Sequence, residues 1–308
     1  MAHNRKTLAM FLALLLIAAV APLFVVAWSF PKAPRLVAVR DVQLAQLREG
    51  KVRFQDEGSG PEALFFLHGY NSQLSDWNAA WDALGPVPRK VRIDIPGFGG
   101  SEFAARDYDL ESQARRVVEF LDSRGIERVV IVAGSMGGSL AAVIAARHPQ
   151  RVTALALLAP SGYTGALRYG GVRGLLMRPG PLKDAATAIS GWNIYRRLFP
   201  DSKARQGLTV TYSYGAWWDA ILPDVKAPTV LLWSRGDFGV HFSTAQSVAR
   251  DIHGSRLLWL DEATGHLIPL VRPQLVAAIA QRLMSGESPD SIAAAPPSEL
   301  LRAGEAFD

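Results

Sequence analysis

The sequence predicts an α/β protein: a mostly parallel, doubly wound sheet with an inserted helical cap, preceded by one N-terminal membrane helix. Three observations predict it. Short β-like runs alternate with helix-like stretches over residues 47–160, strand signals resume after residue 225, and an apolar stretch without charge stands at the N-terminus. Alternating strands and helices imply parallel pairing, because a parallel strand needs a long crossover and the crossover helices then cover both faces of the sheet.

The N-terminal stretch, Leu8 to Phe30, contains no Asp, Glu, Lys or Arg. About twenty apolar residues cross the hydrocarbon core as a helix, so residues 1–30 are expected to be a single-pass anchor. The alternative is a cleaved signal, with Arg5 and Lys6 as its basic region, Ala19-Val20-Ala21 before the cut, and a secreted or periplasmic product beginning at Pro22. The apolar run past that point to Phe30 favours the anchor. Basic residues flank both ends, so orientation is not defined. The net charge of +5 has the same origin: Arg5, Lys6, Lys32, Arg35 and Arg40 all precede the first acidic residue, Asp41, and the rest of the chain is balanced. That placement argues against a nucleic-acid partner, which would need a basic patch in the folded domain. The chain has no cysteine, which fits either compartment.

A polar connector is expected over residues 31–46. The core then reads as strands at Lys51 to Gln55, Ala63 to Leu67, Val91 to Ile95, Val129 to Ala133 and Val152 to Leu158, with helices at Leu74 to Leu84, Leu110 to Arg124 and Met136 to Arg147. The pattern breaks after Pro160. Residues 161–224 are rich in Gly, Arg and aromatics without a strand signal, and are expected to form the cap. Strands resume at Thr229 to Ser234 and Arg256 to Leu260, and the core ends at residue 284. The Ser-, Pro-, Ala- and acid-rich tail, residues 285–308, is expected to be disordered.

Chemistry concentrates where strands end. Val129 to Ala133 runs into Gly134-Ser135-Met136-Gly137-Gly138 and then an Ala-rich helix. A serine on a sharp strand-to-helix turn is presented at the sheet edge, and small neighbours are needed there because strand and helix come close. A plain Gly-rich turn would look similar, so the other residues decide. A serine hydroxyl is a poor nucleophile unless a base takes its proton and a carboxylate orients that base. Asp237 follows the strand Thr229 to Ser234, and His266 follows Arg256 to Leu260. In a parallel sheet both come to the edge that carries Ser135. After Phe65-Phe66-Leu67 the chain leaves its strand through the glycine turn His68-Gly69-Tyr70-Asn71, and in folds with such an elbow that loop gives the second oxyanion N–H. The candidate site is therefore Ser135, Asp237 and His266, with the backbone amides of Tyr70 and Met136 as oxyanion hole. His68 is expected to brace its loop. The glycines in Asp94 to Ser101 are expected to shape the active-site edge, and His3, His148, His241 and His253 to face solvent.

These segments, in this order from Arg53 to Met284, resemble the α/β-hydrolase family. With an anchor ahead of the core, the chain is similar to the membrane-bound monoacylglycerol-lipase-like serine hydrolases. The resemblance implies acyl transfer through an acyl-enzyme on carboxylic esters of apolar or lipid-like substrates, with no metal or organic cofactor; the anchor adds the bilayer as partner, and a small-to-medium ester with an apolar acyl or alcohol part is expected as small-molecule substrate. Relatives that cleave carbon–carbon bonds share a Ser-Met-Gly-Gly elbow but carry Asn before the serine and Trp after the histidine, where Gly134 and Leu267 stand here. That activity remains the alternative, and a catalytically silent binding protein on the same scaffold is the rival from another class. The cap holds Tyr163, Tyr169, Trp192, Tyr195, Phe199, Tyr212, Tyr214, Trp217 and Trp218. They suit a lid over an apolar pocket, or simply pack the cap onto the sheet. Arg168, Arg173, Arg178, Arg196 and Arg197 suit an anionic substrate, water or lipid headgroups. Oligomeric state leaves no trace in the sequence.

Overall fold

The computed structural model describes residues 10, 17–18, 20–103, 107–167 and 171–294. Among the described residues nine strands form one sheet: β1 (Gln43–Leu47), β2 (Gly50–Gly58), β3 (Glu62–Leu67), β4 (Arg89–Ile93), β5 (Glu102–Phe103), β6 (Arg128–Gly134), β7 (Val152–Leu158), β8 (Thr229–Ser234) and β9 (Arg256–Leu260). Their order is β1-β2-β4-β3-β6-β7-β8-β9, with β5 paired to β2. From β4 through β3, β6, β7 and β8 to β9 every pairing is parallel, while β1, β2 and β5 join antiparallel at one edge. The central strands are apolar along their whole length, as strands covered on both faces must be: Phe65, Phe66, Leu67, Ile131, Val132, Leu155 and Leu231 are buried.

Residues 20–29 are helical and are referred to as α1. The crossovers are α2 (Asn78–Ala83), α3 (Leu110–Ser123) and α4 (Met136–Arg147). Asp109 caps α3, its side chain accepting from the Ser112 amide. Between β7 and β8 lies a helical insert: α5 (Gly171–Met177), α6 (Pro181–Ser190), α7 (Asn193–Leu198), α8 (Ala204–Val210) and α9 (Ala216–Ile221). After β8 come α10 (Ala245–Asp251), α11 (Ile268–Val271), α12 (Pro273–Met284) and α13 (Pro289–Ala294).

Three regions differ from the sequence reading. The connector contains β1, an edge strand whose side chains are mostly exposed and which is defined by its antiparallel register with β2. The tail is helical at Pro289–Ala294, because Ile292 is fully buried and Asp290 pairs with Arg256; residues 295–308 lie outside the described residues. The expected membrane span, Leu8 to Phe30, lies partly outside them too, and among the described residues no helix is long and apolar enough to cross a membrane.

What α1 does show is a helix apolar on both sides. Leu23, Val26 and Phe30 are buried in a second apolar cluster with Leu176, Met177, Ala186, Tyr195, Ala204 and Leu208 of the insert. Phe24, Val25 and Trp28 face outward, Trp28 being 93% exposed. The insert is thus held to the N-terminal helix by a core of its own.

Candidate active site

Ser135 sits between β6 and α4 with φ 53° and ψ −121°, a conformation that L residues rarely adopt. Its amide donates to the Leu158 carbonyl of β7 at 2.8 Å, and its carbonyl accepts from the Ser139 amide at 3.1 Å. The turn is therefore tied to a strand on one side and to its helix on the other. The glycines around it are not equivalent. A Cβ on Gly137 would lie 2.4 Å from the His68 carbonyl oxygen and 2.5 Å from that of Leu67, whereas one on Gly134 would meet nothing nearer than 3.9 Å. The approach of α4 to the end of β3 is what requires glycine.

The other two members are held as firmly. Asp237 Oδ2 bonds His266 Nδ1 at 2.8 Å, and Asp237 Oδ1 accepts the amides of Gly239 and Val240 at 2.8 and 2.7 Å. The carboxylate is buried, and both its oxygens are engaged by donors that fix its position against the imidazole. Asp261, the other carboxylate between Asp237 and His266 that follows a strand directly, is used elsewhere. It accepts from the Thr264 amide at 2.9 Å and pairs with Arg272.

Sequence reasoning missed Ser234, which sets the spacing of the two loops. Its buried hydroxyl donates to the Asp261 carbonyl at 2.6 Å and accepts the amides of Gly236 and Gly265 at 3.1 Å each. It stitches the Asp237 loop to the His266 loop, and a Cβ on Gly236 would strike the Glu262 carbonyl at 1.9 Å. No local pattern marks this serine; only the adjacency of β8 and β9 does.

Ser135 and His266 line one cavity of about 110 Å³, together with Tyr70, Trp77, Leu158 and Leu270. Ser135 and Tyr70 also line a second, of about 40 Å³, walled by Leu167, Met177, Val210 and Tyr214 of the insert and its approach. The serine thus stands between two small, mostly apolar spaces. A larger cleft of about 1140 Å³, lined by Tyr108, Arg196, Arg197 and Lys203 among others, touches no member of the triad. We place the site at the smaller spaces because the reactive groups meet there.

The loop after β3 is organised by two buried side chains. His68 Nδ1 donates to the Gly69 carbonyl at 2.7 Å and its Nε2 accepts the Ile95 amide at 2.9 Å. That pattern requires the neutral ring, and burial pushes its pKa below the ordinary histidine value against the pull of Asp94. Asp94 accepts the Leu74 amide at 2.6 Å and the Gly100 amide at 2.7 Å, and pairs with Arg53 at 2.9 Å. The Asp94 turn thereby holds the loop that carries Tyr70. Met136 begins α4, a 12-residue helix whose first amides have no intrahelical partner and whose positive dipole end lies at the elbow.

Most aromatics of the insert pack. Trp218 is buried against Gly162 and donates to the Ser139 carbonyl at 3.0 Å. Tyr195 lies in the second cluster, and Tyr163 bonds Asp251 at 2.9 Å. Of the nine, Tyr214 alone lines a cavity at Ser135 among the described residues. Tyr169 and Arg168 lie outside the described residues. Arg173 lines the smaller cavity with its guanidinium 5.7 Å from the Phe30 ring, whereas Arg178, Arg196 and Arg197 are exposed.

A family model described as alpha/beta hydrolase fold matches residues 62–184. Over 134 residues the chain is 35% identical to a dihydrolipoyllysine-residue acetyltransferase component of the acetoin cleaving system of Cupriavidus necator; that match takes in 44% of this chain and spans about a third, 36%, of the relative's length. A monoacylglycerol lipase of Xenopus laevis, abhd6-A, is 22% identical over 254 residues, 72% of this chain and 75% of that one. Among solved structures, a membrane phospholipase A described as a bacterial virulence factor superposes with a TM-score of 0.63 at 21% identity, covering 93% of this chain and 99% of that one. A thermophilic esterase of Thermogutta terrifontis gives 0.63 at 19%, covering 79% and 98%. At such identities the superpositions establish the fold.

Proposed function

The chain belongs to the α/β-hydrolase family, and on that footing we propose that it is a membrane-anchored serine hydrolase that cleaves carboxylic esters of apolar or lipid-like substrates. The observation that carries the reading is the arrangement at the sheet edge: Ser135 in a strained elbow, His266 lining the same cavity, and Asp237 bonded to His266 while two amides hold it.

In this reading His266 Nε2 takes the proton of Ser135 as Oγ attacks the ester carbonyl. The negative charge that develops on the carbonyl oxygen is held by the amides of Tyr70 and Met136, fixed donors in a site that excludes most water. Collapse breaks the bond to the alcohol, which leaves with the proton from His266. Water then gives a proton to His266 and attacks the acyl carbon, and the acid departs as Ser135 recovers its hydrogen. Asp237 keeps His266 in the tautomer this needs and stabilises the imidazolium.

The two small cavities on either side of Ser135 suit acyl and alcohol parts of modest size, with the insert acting as cap. Several observations support the anchor: the charge-free run before Phe30, the outward apolar face of α1, and the names of two relatives, a monoacylglycerol lipase and a membrane phospholipase. A panel of esters of increasing acyl length tests substrate class. kcat/KM should rise by up to about 0.8 kcal/mol per added methylene and then level off when the pocket is full. A flat profile, or a preference for charged acids, contradicts it. Full-length protein should also stay with the membrane after a high-salt wash, since burial of apolar side chains is not screened. A soluble product beginning at Pro22 contradicts the anchor.

A further inference from the structure

The segment that leaves α1 does not simply lead to the core. Residues 30–37 run between the loop carrying Tyr70 and the insert, and bond to both. On the insert side, the Ala33 amide donates to the Asp201 carbonyl at 2.7 Å, the Lys203 amide donates to the Pro31 carbonyl at 3.3 Å, and Lys32 bridges Ser202 in antiparallel fashion. On the loop side, Asn71 Nδ2 donates to the Lys32 carbonyl at 3.1 Å. Gln73, which is buried, uses both ends of its amide: Nε2 donates to the Arg35 carbonyl at 2.8 Å, and Oε1 accepts the Val37 amide at 3.0 Å. Gln73 thereby pairs with the segment as a neighbouring strand would.

The two sides meet at Gly207 of α8. A Cβ there would lie 2.7 Å from the Tyr70 hydroxyl and 3.0 Å from the Phe30 ring, so helix, ring and hydroxyl are in close contact only because the residue is glycine. The Tyr70 hydroxyl in turn donates to the Lys203 carbonyl at 2.8 Å. Every hydrogen bond from Asn71 and Gln73 to the segment ends on its backbone, so these contacts read the path of the chain rather than its side chains. Asn71 has φ 55°, a conformation asparagine tolerates better than most residues.

We infer that residues 30–37 are a strap that positions the oxyanion loop, with Gln73 and Asn71 as positioning residues that act through it on the Tyr70 amide. The segment that ties the N-terminal helix to the domain is, on this account, part of the active-site framework. The inference rests on the proposed role of Tyr70 as an oxyanion donor. An oxyanion donor displaced by a fraction of an ångström loses much of its effect, since the charge it stabilises develops only in the transition state.

The test uses full-length protein in detergent micelles or native membranes. Gln73→Ala, which removes both bonds to the strap, should lower kcat by about 10- to 100-fold with KM nearly unchanged. Affinity for a trifluoromethyl ketone, which forms a tetrahedral oxyanion on an active serine, should fall by a similar factor while a ground-state product acid binds as before. A merely structural role would lower the melting temperature without this split. If Gln73→Ala does not fold, Asn71→Asp serves, because it keeps size and tolerance of positive φ but removes the donor to Lys32; a smaller loss with the same split is expected. Wild-type kcat and ketone affinity in a folded variant overturn the inference, provided Ser135→Ala is inactive. Ester hydrolysis by Ser135→Ala would overturn the functional reading itself, a separate failure.

Discussion

The strand-end site and the helical insert over it are built by different rules. Ser135, Asp237 and His266 are carried on the ends of β6, β8 and β9, strands paired on one or both sides, and their loops are cross-linked by Ser234 and by backbone amides. The insert makes no sheet contact of that kind. Its helices α5 to α8 close around a small cluster completed by Leu23, Val26 and Phe30 of α1. Lys183 of α6 is fully buried, and among the described residues its ammonium has no hydrogen-bond partner; it lies 3.8 Å from the Tyr212 ring centroid. The strand-end site is held by several independent bonds, whereas the insert buries an ammonium against a ring alone and borrows part of its core from the N-terminal helix. The candidate site is carried by the sheet, whereas the insert contributes walls to the smaller cavity beside Ser135.

The comparison breaks most sharply if the edge proves tolerant. Asp237→Asn should lower kcat by about 10⁴ with a modest change in KM, because the imidazole loses both its tautomer and its counter-charge. Asp261→Asn should cost stability through Thr264 and Arg272 and leave kcat within a few-fold. The reverse ranking in steady-state kinetics would mean that the site is organised around the other carboxylate.

Glycines give the next largest contrast. Gly137→Ala puts a methyl group against two backbone carbonyls at the end of β3, atoms that cannot move without shifting the Tyr70 loop. A loss of about 3 kcal/mol of stability or more, and of over 100-fold in kcat/KM, is expected. Gly134→Ala meets only the Leu158 carbonyl at 3.9 Å and should be nearly silent in both thermal melts and kinetics. Equal effects from the two would undo the steric account of the elbow.

In the insert the expected changes are smaller and of opposite sign. Burial pulls the Lys183 ammonium down to about 8 from 10.5. Below about pH 8 both states hold the proton and the folded state bears the full cost of burying it. Between about 8 and 10.5 the unfolded chain binds more protons, so stability rises with pH. Lys183→Met should therefore melt a few °C higher than wild type at pH 7, and the gap should narrow at pH 10. A lower melting temperature for the variant at pH 7 would show that the ring contact with Tyr212 outweighs the burial cost. His68 works in the same direction at lower pH. Its folded value lies below 6.5, so acidification protonates the unfolded chain first and stability falls as pH drops below about 6.5.

How much of this could be read from the sequence follows the same division. Seven strands were legible as short β-like runs, and Ser135, Asp237 and His266 as polar residues beyond the ends of three of them, because a parallel sheet converts chain position into spatial position. β1 and β5 were not, since short edge strands are defined by a partner and carry little apolar signal of their own. Ser234, Gln73 and Asp94 were also invisible in their roles: each acts on backbone groups of a distant segment, and no spacing rule encodes that. The helical tail depends on Ile292 finding a place beside β9, and the second cluster on α1 meeting the insert. Composition told where the aromatics of the insert lie, but not that most of them pack rather than line the pocket.

The most direct measurement of the central claim is covalent trapping with a fluorophosphonate, followed by peptide mass spectrometry. The account predicts one phosphonyl adduct per chain, on the peptide containing Ser135, formed rapidly in wild type, absent in Ser135→Ala and strongly slowed in Asp237→Asn. No adduct on folded, ester-hydrolysing protein, or an adduct on another serine such as Ser161 with Ser135 unmodified, would contradict it.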